Sequence, residues 1–324
     1  MITRRRRGLF RELLPWVCYL LVLALLPFVI PGTEPAKTSP PLGETDGIQV
    51  YVGIPDVPGE EQVFPRQELL AGTLLPVSPI HPLPPDYPMP STRTLRAQVG
   101  MYLPVEEETA LRAEATYALC EMEADHPLED GAVLTVGAVS CAQQEEMLRE
   151  AFDRYSRVYP LTEAIAHART RVPGGGQSEH QTGLAVDVRL TGILELGREN
   201  PLERNETGRW ISENMWRYGF IQRYTKPEEE GACENIHLRY VGKVHAAAMH
   251  ALGITMEEYW TLLRETGGLT IERNGQCWAW VVCAPCADSF TVSVPKDAEH
   301  SVSTDNDGFA AAVICPVRQE RQTE

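Results

Sequence analysis

The chain has 324 residues, which suits two domains of ordinary size or one large domain with tails. With 43% apolar and 23% charged residues its composition is globular, excluding the fibrous, collagenous and wholly disordered classes. Twenty-nine basic residues stand against 45 acidic ones, a net charge of −16, and no compact basic stripe interrupts this. Such a body repels phosphate backbones, so no nucleic-acid partner is expected.

Arg4 to Arg7 and Arg11 precede Leu13 to Ile30, a run without a charge. At about 1.5 Å per residue a helix over this run reaches roughly 27 Å, enough for a bilayer core. The basic flank belongs on the cytoplasmic side, placing the rest of the chain outside. No small-x-small site follows the run, so residues 1–30 are read as an uncleaved membrane anchor rather than a signal peptide. The expected location is the cell membrane, single-pass, with an extracytoplasmic body.

Fourteen of the 25 prolines lie between Pro31 and Pro90. Proline fixes φ and removes a donor, so neither helix nor central strand is expected there. Residues 31–68 read as an extended linker, and Leu69 to Tyr87 as a segment crossing a domain surface. Residues 69–266 form the main domain. Leu111, Ala115, Ala118, Leu119 and Met122 recur at helical spacing, predicting a helix near 105–124. Ala132 to Val139 reads as a buried strand. Ser140 and Gln143 resemble a capping box opening a helix through Phe152. Thr207 starts another that Gly219 ends. Two more helices, 243–252 and 256–265, are separated by Gly253, with Thr255 and Glu258 capping the second.

After Gly267 the texture changes. Thr270–Arg273 and Gln276–Val282 flank Asn274-Gly275, a hairpin signal, and Phe290–Val294 and Phe309–Ile314 read as strands. Residues 267–324 are therefore expected to form a small β-rich extension. Helices and short strands without βαβ repetition predict an α+β fold. Cys18 lies in the apolar run, leaving seven other cysteines and at most three pairs. Cys283 and Cys286 lack a second C-x-x-C, so partly paired structural cysteines are expected.

The chemistry-bearing segment is Ser178-Glu179-His180-Gln181-Thr182-Gly183-Leu184-Ala185-Val186-Asp187-Val188. Leu184, Val186 and Val188 alternate on one strand face, with Asp187 on the other, and the turn before them brings His180 round. A second segment, Glu234-Asn235-Ile236-His237-Leu238-Arg239-Tyr240-Val241-Gly242, places His237 and Arg239 on one strand face with Glu234 three residues ahead. Two imidazoles and a carboxylate, plus one further carboxylate, match the needs of a hydrolytic zinc site: three ligands, an open position for water, and a base.

These residues resemble the VanY-type zinc D-alanyl-D-alanine carboxypeptidases. The likeness runs from about Leu69 to Arg264 and includes Tyr218-Gly219-Phe220-Ile221, Arg223-Tyr224 and Lys226. It implies a Hedgehog-like α+β fold with an antiparallel sheet, one zinc held by His180, Asp187 and His237, and Glu234 as catalytic base. The implied substrate is a peptidoglycan stem peptide ending in D-Ala. Two departures stand out. Asn235 and Ile236 replace the family's Pro-Trp, and Val139 replaces an arginine that faces the substrate. Ser178, Gln181, Arg189 and Arg223 are candidate substrate contacts, the two arginines being candidates to make good the missing cation. The rival reading is a zinc-containing module that binds wall peptides without cutting them.

Overall fold

The computed structural model describes residues 40–316 except Val57, Asp86, Pro88, residues 99–103, Glu107, and residues 127–130, 195–199 and 225–235. The apolar run before residue 31 and Glu234 therefore lie outside the described residues. The first strands are β1 (Gly43–Thr45), β2 (Ile48–Val52), β3 (Glu60–Pro65), β4 (Arg93–Thr94) and β5 (Ala110–Leu111). Next come β6 (Ala132–Leu134), β7 (Ala185–Leu190), β8 (Phe220–Gln222) and β9 (Ile236–Tyr240). The last are β10 (Gly268–Arg273), β11 (Gln276–Pro285), β12 (Ser289–Val294), β13 (Glu299–Thr304) and β14 (Phe309–Cys315). The helices are α1 (Arg66–Leu70), α2 (Ala113–Asp125), α3 (Cys141–Tyr155), α4 (Leu161–Arg171), α5 (Glu206–Asn214), α6 (Lys243–Leu252) and α7 (Met256–Thr266). Mixed helices and antiparallel sheets give the expected α+β class.

A four-stranded sheet in the order β6-β7-β9-β8 carries the candidate site. Its even positions on β7 (Val186, Val188, Leu190) and on β9 (Ile236, Leu238) face a core built with Leu111, Ala115, Leu119 and Met122. Strand alternation turns the odd positions to the opposite side. In the ladder Asp187 stands directly across from His237. The cap residues behave as expected. Ser140 and Gln143 form both arms of a capping box at α3, as do Thr255 and Glu258 at α7.

A six-stranded sheet, β1-β2-β10-β11-β14-β13, forms the other half. One face, with Ala279, Val281, Ala311 and Val313, packs against α6 and α7 through Ala247, Met256, Tyr259 and Leu263. The other face, with Ala310, Ala312 and Ile314, meets Phe64, Phe290 and Val292 of the paired strands β3 and β12.

This arrangement corrects two expectations. Within residues 31–68, read as linker, Gly43–Thr45, Ile48–Val52 and Glu60–Pro65 are strands, and β2 lies inside the sheet between β1 and β10. The high proline content of the region as a whole conceals a window from Leu42 to Ile54 with none. Within it Ile48, Val50 and Val52 alternate, and Asp46-Gly47 turns at φ of 51° and 76°, the geometry a tight hairpin demands. Nor is the region after Gly267 a separate appendage, because it shares a sheet with β2 and a core with α6 and α7. Ile48 is 1% exposed. Ile48→Ala is expected to cost about 2–5 kcal/mol in urea unfolding, whereas a spacer residue would cost close to nothing.

Several further elements had no predicted counterpart, among them α1, β4, α4, β8 and β13. Helix α4 buries only Ala164 and Ala168, strand β13 is mostly polar, and β8 is three residues long. The predicted helix over 105–124 starts later, at Ala113, and the predicted strand 132–139 leaves its ladder after Leu134. Cys120, Cys141, Cys277, Cys283, Cys286 and Cys315 are all free thiols, so among the described residues no cysteine is paired.

Candidate metal centre

The loop through Gly174–Gly176 enters a short 3-10 turn, Glu179–Thr182, that ends on Gly183 at φ +68°. A side chain there would need a left-handed backbone, and its Cβ would come 3.0 Å from the Arg112 side chain. This reversal folds His180 back over the start of β7. Its Nε2 lies 3.2 Å from Asp187 Oδ1, and His237 Nδ1 lies 2.9 Å from the same oxygen. One ligand atom from each of the three residues falls within 4.8 Å of the others. The two imidazoles meet edge to face, with planes 89° apart.

Tetrahedral zinc with bonds of about 2.0–2.1 Å separates its ligand atoms by roughly 3.3–3.4 Å, close to the spacing found. All three side chains are buried, and His180 Nδ1 has no hydrogen-bond partner among the described residues. That orphan nitrogen is not the one that faces the cluster, since Nε2 is the His180 atom beside Asp187, so the case for a metal rests on the convergence of the three side chains. The donor types and their convergence fit a zinc ion.

Behind the three ligands lies a layer of charge that sequence reasoning missed. Glu179 Oε2 stands 3.1 Å from His237 Nε2, so the imidazole that offers Nδ1 to the site is held from behind by a carboxylate. Glu179 Oε1 accepts from Arg223 Nε at 2.9 Å, and Arg223 donates its other nitrogens to Glu257 at 3.1 and 2.6 Å. Arg239, fully buried, donates to Thr182 Oγ1 and to the carbonyls of Thr73 and Leu75. Burial alone would raise the Glu179 carboxyl, but Arg223, Arg239 and His237 hold it well below the usual range. Asp187 is likewise pushed up by burial and pulled further down by His180 and His237. The only sequence signal for Glu179 is its place beside His180; for Arg239 it is the shared strand face with His237.

A cleft of about 220 Å³ is lined by the three ligands together with Gln144, Tyr155 and Tyr224. A larger cleft of about 820 Å³ beside Arg273, Trp278 and Glu299 holds none of the candidate site residues. Ser178 is buried and lines the smaller cleft. Gln181 does not line it; its Oε1 accepts from the Gly176 amide at 2.6 Å and shapes the loop. Arg189 shares a strand face with Asp187 but lies beyond the cleft, where it pairs with Glu106 at 3.1 Å. Arg223 is buried between Glu179 and Glu257 and is not among the cleft residues. Neither arginine therefore occupies the place left by Val139, which is itself buried, its amide donating to the His180 carbonyl. Glu234 belongs to the segment between Tyr224 and β9, outside the described residues.

Residues 108–243 match the family model of VanY, D-alanyl-D-alanine carboxypeptidase. A D-alanyl-D-alanine carboxypeptidase of Enterococcus faecium is 34% identical over 145 residues, covering 43% of this chain and 45% of the relative. One from Enterococcus faecalis is 38% identical over 131 residues, covering 39% and 46%. The chain thus spans about half the length of these curated relatives. The crystal structure of the vancomycin resistance D,D-dipeptidase VanXYg, in complex with a D-Ala-D-Ala phosphinate analogue, superposes with a TM-score of 0.63. At 22% identity it covers 79% of this chain and 98% of its own, and it shows the shared fold. Residues 108–243, which bring His180, Asp187 and His237 to one point, are thus similar to the VanY D-alanyl-D-alanine carboxypeptidase model over less than half of the chain.

Proposed function

We propose that this protein is a zinc peptidase that removes the C-terminal D-Ala from peptidoglycan stem peptides. The observation that carries the reading is the convergence of His180, Asp187 and His237 in a buried cluster at the wall of a cleft. Zinc held there, one per chain, would supply a Lewis acid that acidifies water and polarises a peptide carbonyl. Glu179 fixes the ring of His237, and Arg223 with Glu257 fixes Glu179. Glu234 serves as general base, accepting the proton that the attacking water gives up and returning one to the leaving amine. Residues 13–30 would anchor the protein with this domain outside the membrane. Among the described residues no helix is long and apolar enough to cross a bilayer.

A second reading, a zinc-containing module that binds wall peptides without hydrolysis, is favoured by one observation: Val139 stands buried where the family has a cation. Incubation of the zinc-loaded protein with a pentapeptide stem ending in D-Ala-D-Ala, followed by mass analysis, separates the two. Loss of one D-Ala is expected; an intact peptide bound by the protein would transfer the assignment to the binding module. Metal analysis should give one zinc per chain. His180→Ala and His237→Ala are each expected to retain about a tenth or less after gel filtration, because two remaining ligands hold zinc poorly. Full zinc in both variants would remove the metal site from these residues.

A further inference from the structure

Two guanidinium groups line the cleft without a partner among the described residues. Gln144, Met147, Ala151 and Arg154 recur at three- and four-residue spacing on α3 and so present one face, and all four line the cleft. Arg171, the last residue of α4, lines it as well. Among the described residues neither Arg154 nor Arg171 makes an ion pair or side-chain hydrogen bond. Other arginines nearby are engaged: Arg149 with Glu146, Arg189 with Glu106, Arg223 with Glu179 and Glu257. Three carboxylates also line the cleft. Glu179 is held by Arg223 and His237, Asp187 lies between two imidazoles, and Glu150, one turn before Arg154, is not paired with it. In a chain of net charge −16, two unpaired arginines against one unpaired carboxylate leave this cleft, beside a metal-ligand cluster, suited to an anion. The planar fork of a guanidinium matches a carboxylate.

We propose that Arg154 and Arg171 bind the free C-terminal carboxylate of the peptide substrate, filling in this chain the place that Val139 leaves without a cation. The ligand class is a peptide acid, as opposed to an internal or amidated peptide. This rests on the peptidase reading for the identity of the bond cut, but the carboxylate preference can be measured without turnover.

The probe is N-acetyl-L-Lys-D-Ala-D-Ala and its C-terminal amide. Affinity for both is measured by calorimetry on the full zinc-loaded chain carrying Glu234→Gln, so that the ligand survives, and hydrolysis on the chain with Glu234 intact. The acid should bind about tenfold or more tighter than the amide. In Arg154→Ala/Arg171→Ala that preference should vanish, and KM for the acid should rise about tenfold or more with kcat within about threefold. Lysine at both positions should restore part of the preference, since the charge remains and the fork is lost. Both side chains are exposed, so unchanged melting is expected of every variant. An acid preference that persists in the double alanine variant overturns the proposal, whether or not the peptide is cut. A preference that depends on the two arginines in a protein that cuts no peptide keeps the carboxylate site and removes the peptidase reading. Absence of both hydrolysis and preference removes both.

Discussion

Glu234→Gln is expected to keep its zinc and to lose about a hundredfold to ten-thousandfold in turnover. The amide preserves the size and polarity of the side chain but cannot take a proton, and loss of a positioned general base typically costs that much. The neighbouring carboxylates offer no substitute. Glu179 accepts from Arg223 at 2.9 Å and lies against His237, and these contacts with Arg239 hold its carboxyl well below the usual range despite burial. A group so strongly committed to its anion is a weak base. Asp187 is engaged by both imidazoles. Glu150 is the remaining carboxylate of the cleft, and Glu150→Gln therefore serves as the control, with kcat expected within about threefold of the parent. The measurements are zinc content and the rate of D-Ala release. Wild-type turnover in Glu234→Gln together with a large loss in Glu150→Gln would move the base to α3.

The ligand set was legible because it rests on local rules. Apolar residues at 184, 186 and 188 fix which face of β7 Asp187 takes, and the same period on β9 fixes His237. The glycine turn before β7 is equally local, as are the caps at Ser140 and Thr255. What stayed hidden depends on partners far apart in sequence. Glu179 meets Arg223 44 residues on, and Arg223 meets Glu257 34 residues further. Read alone, an arginine is a solvated charge, and only the fold shows that Arg223 and Arg239 are buried and matched. The β strands between residues 43 and 65 escaped for a different reason. Proline count over sixty residues is a property of the average, whereas a strand needs only a short proline-free window with the right alternation and a partner edge. That edge, β10, arrives more than two hundred residues later.

Removing Glu179 should show how much of the site is held from behind. Glu179→Ala is expected to lower stability by about 3–5 kcal/mol, the usual cost of deleting one partner of a buried charge pair. Its carboxylate is 1% exposed and the Arg223 side chain 4%, so little water can replace the lost contact. Arg223 would keep Glu257, but that side chain is 59% exposed, and its pairing compensates only in part. Independently of stability, zinc affinity should weaken by about 10–100-fold, because His237 loses the acceptor that orients its ring. Glu179→Gln separates the two effects. One amide oxygen can still accept from Arg223 or from His237 but not from both, and the NH2 group must face the other donor. Stability should therefore fall less than in the alanine variant, while zinc affinity falls by a similar factor. Unfolding is to be followed in urea with chelator present, since bound metal would itself stabilise the folded state, and affinity by competition with a chromogenic chelator. If Glu179→Gln loses stability but binds zinc as tightly as the parent, Glu179 serves only to neutralise Arg223, and the orientation of His237 must come from its place opposite Asp187 in the β7–β9 ladder.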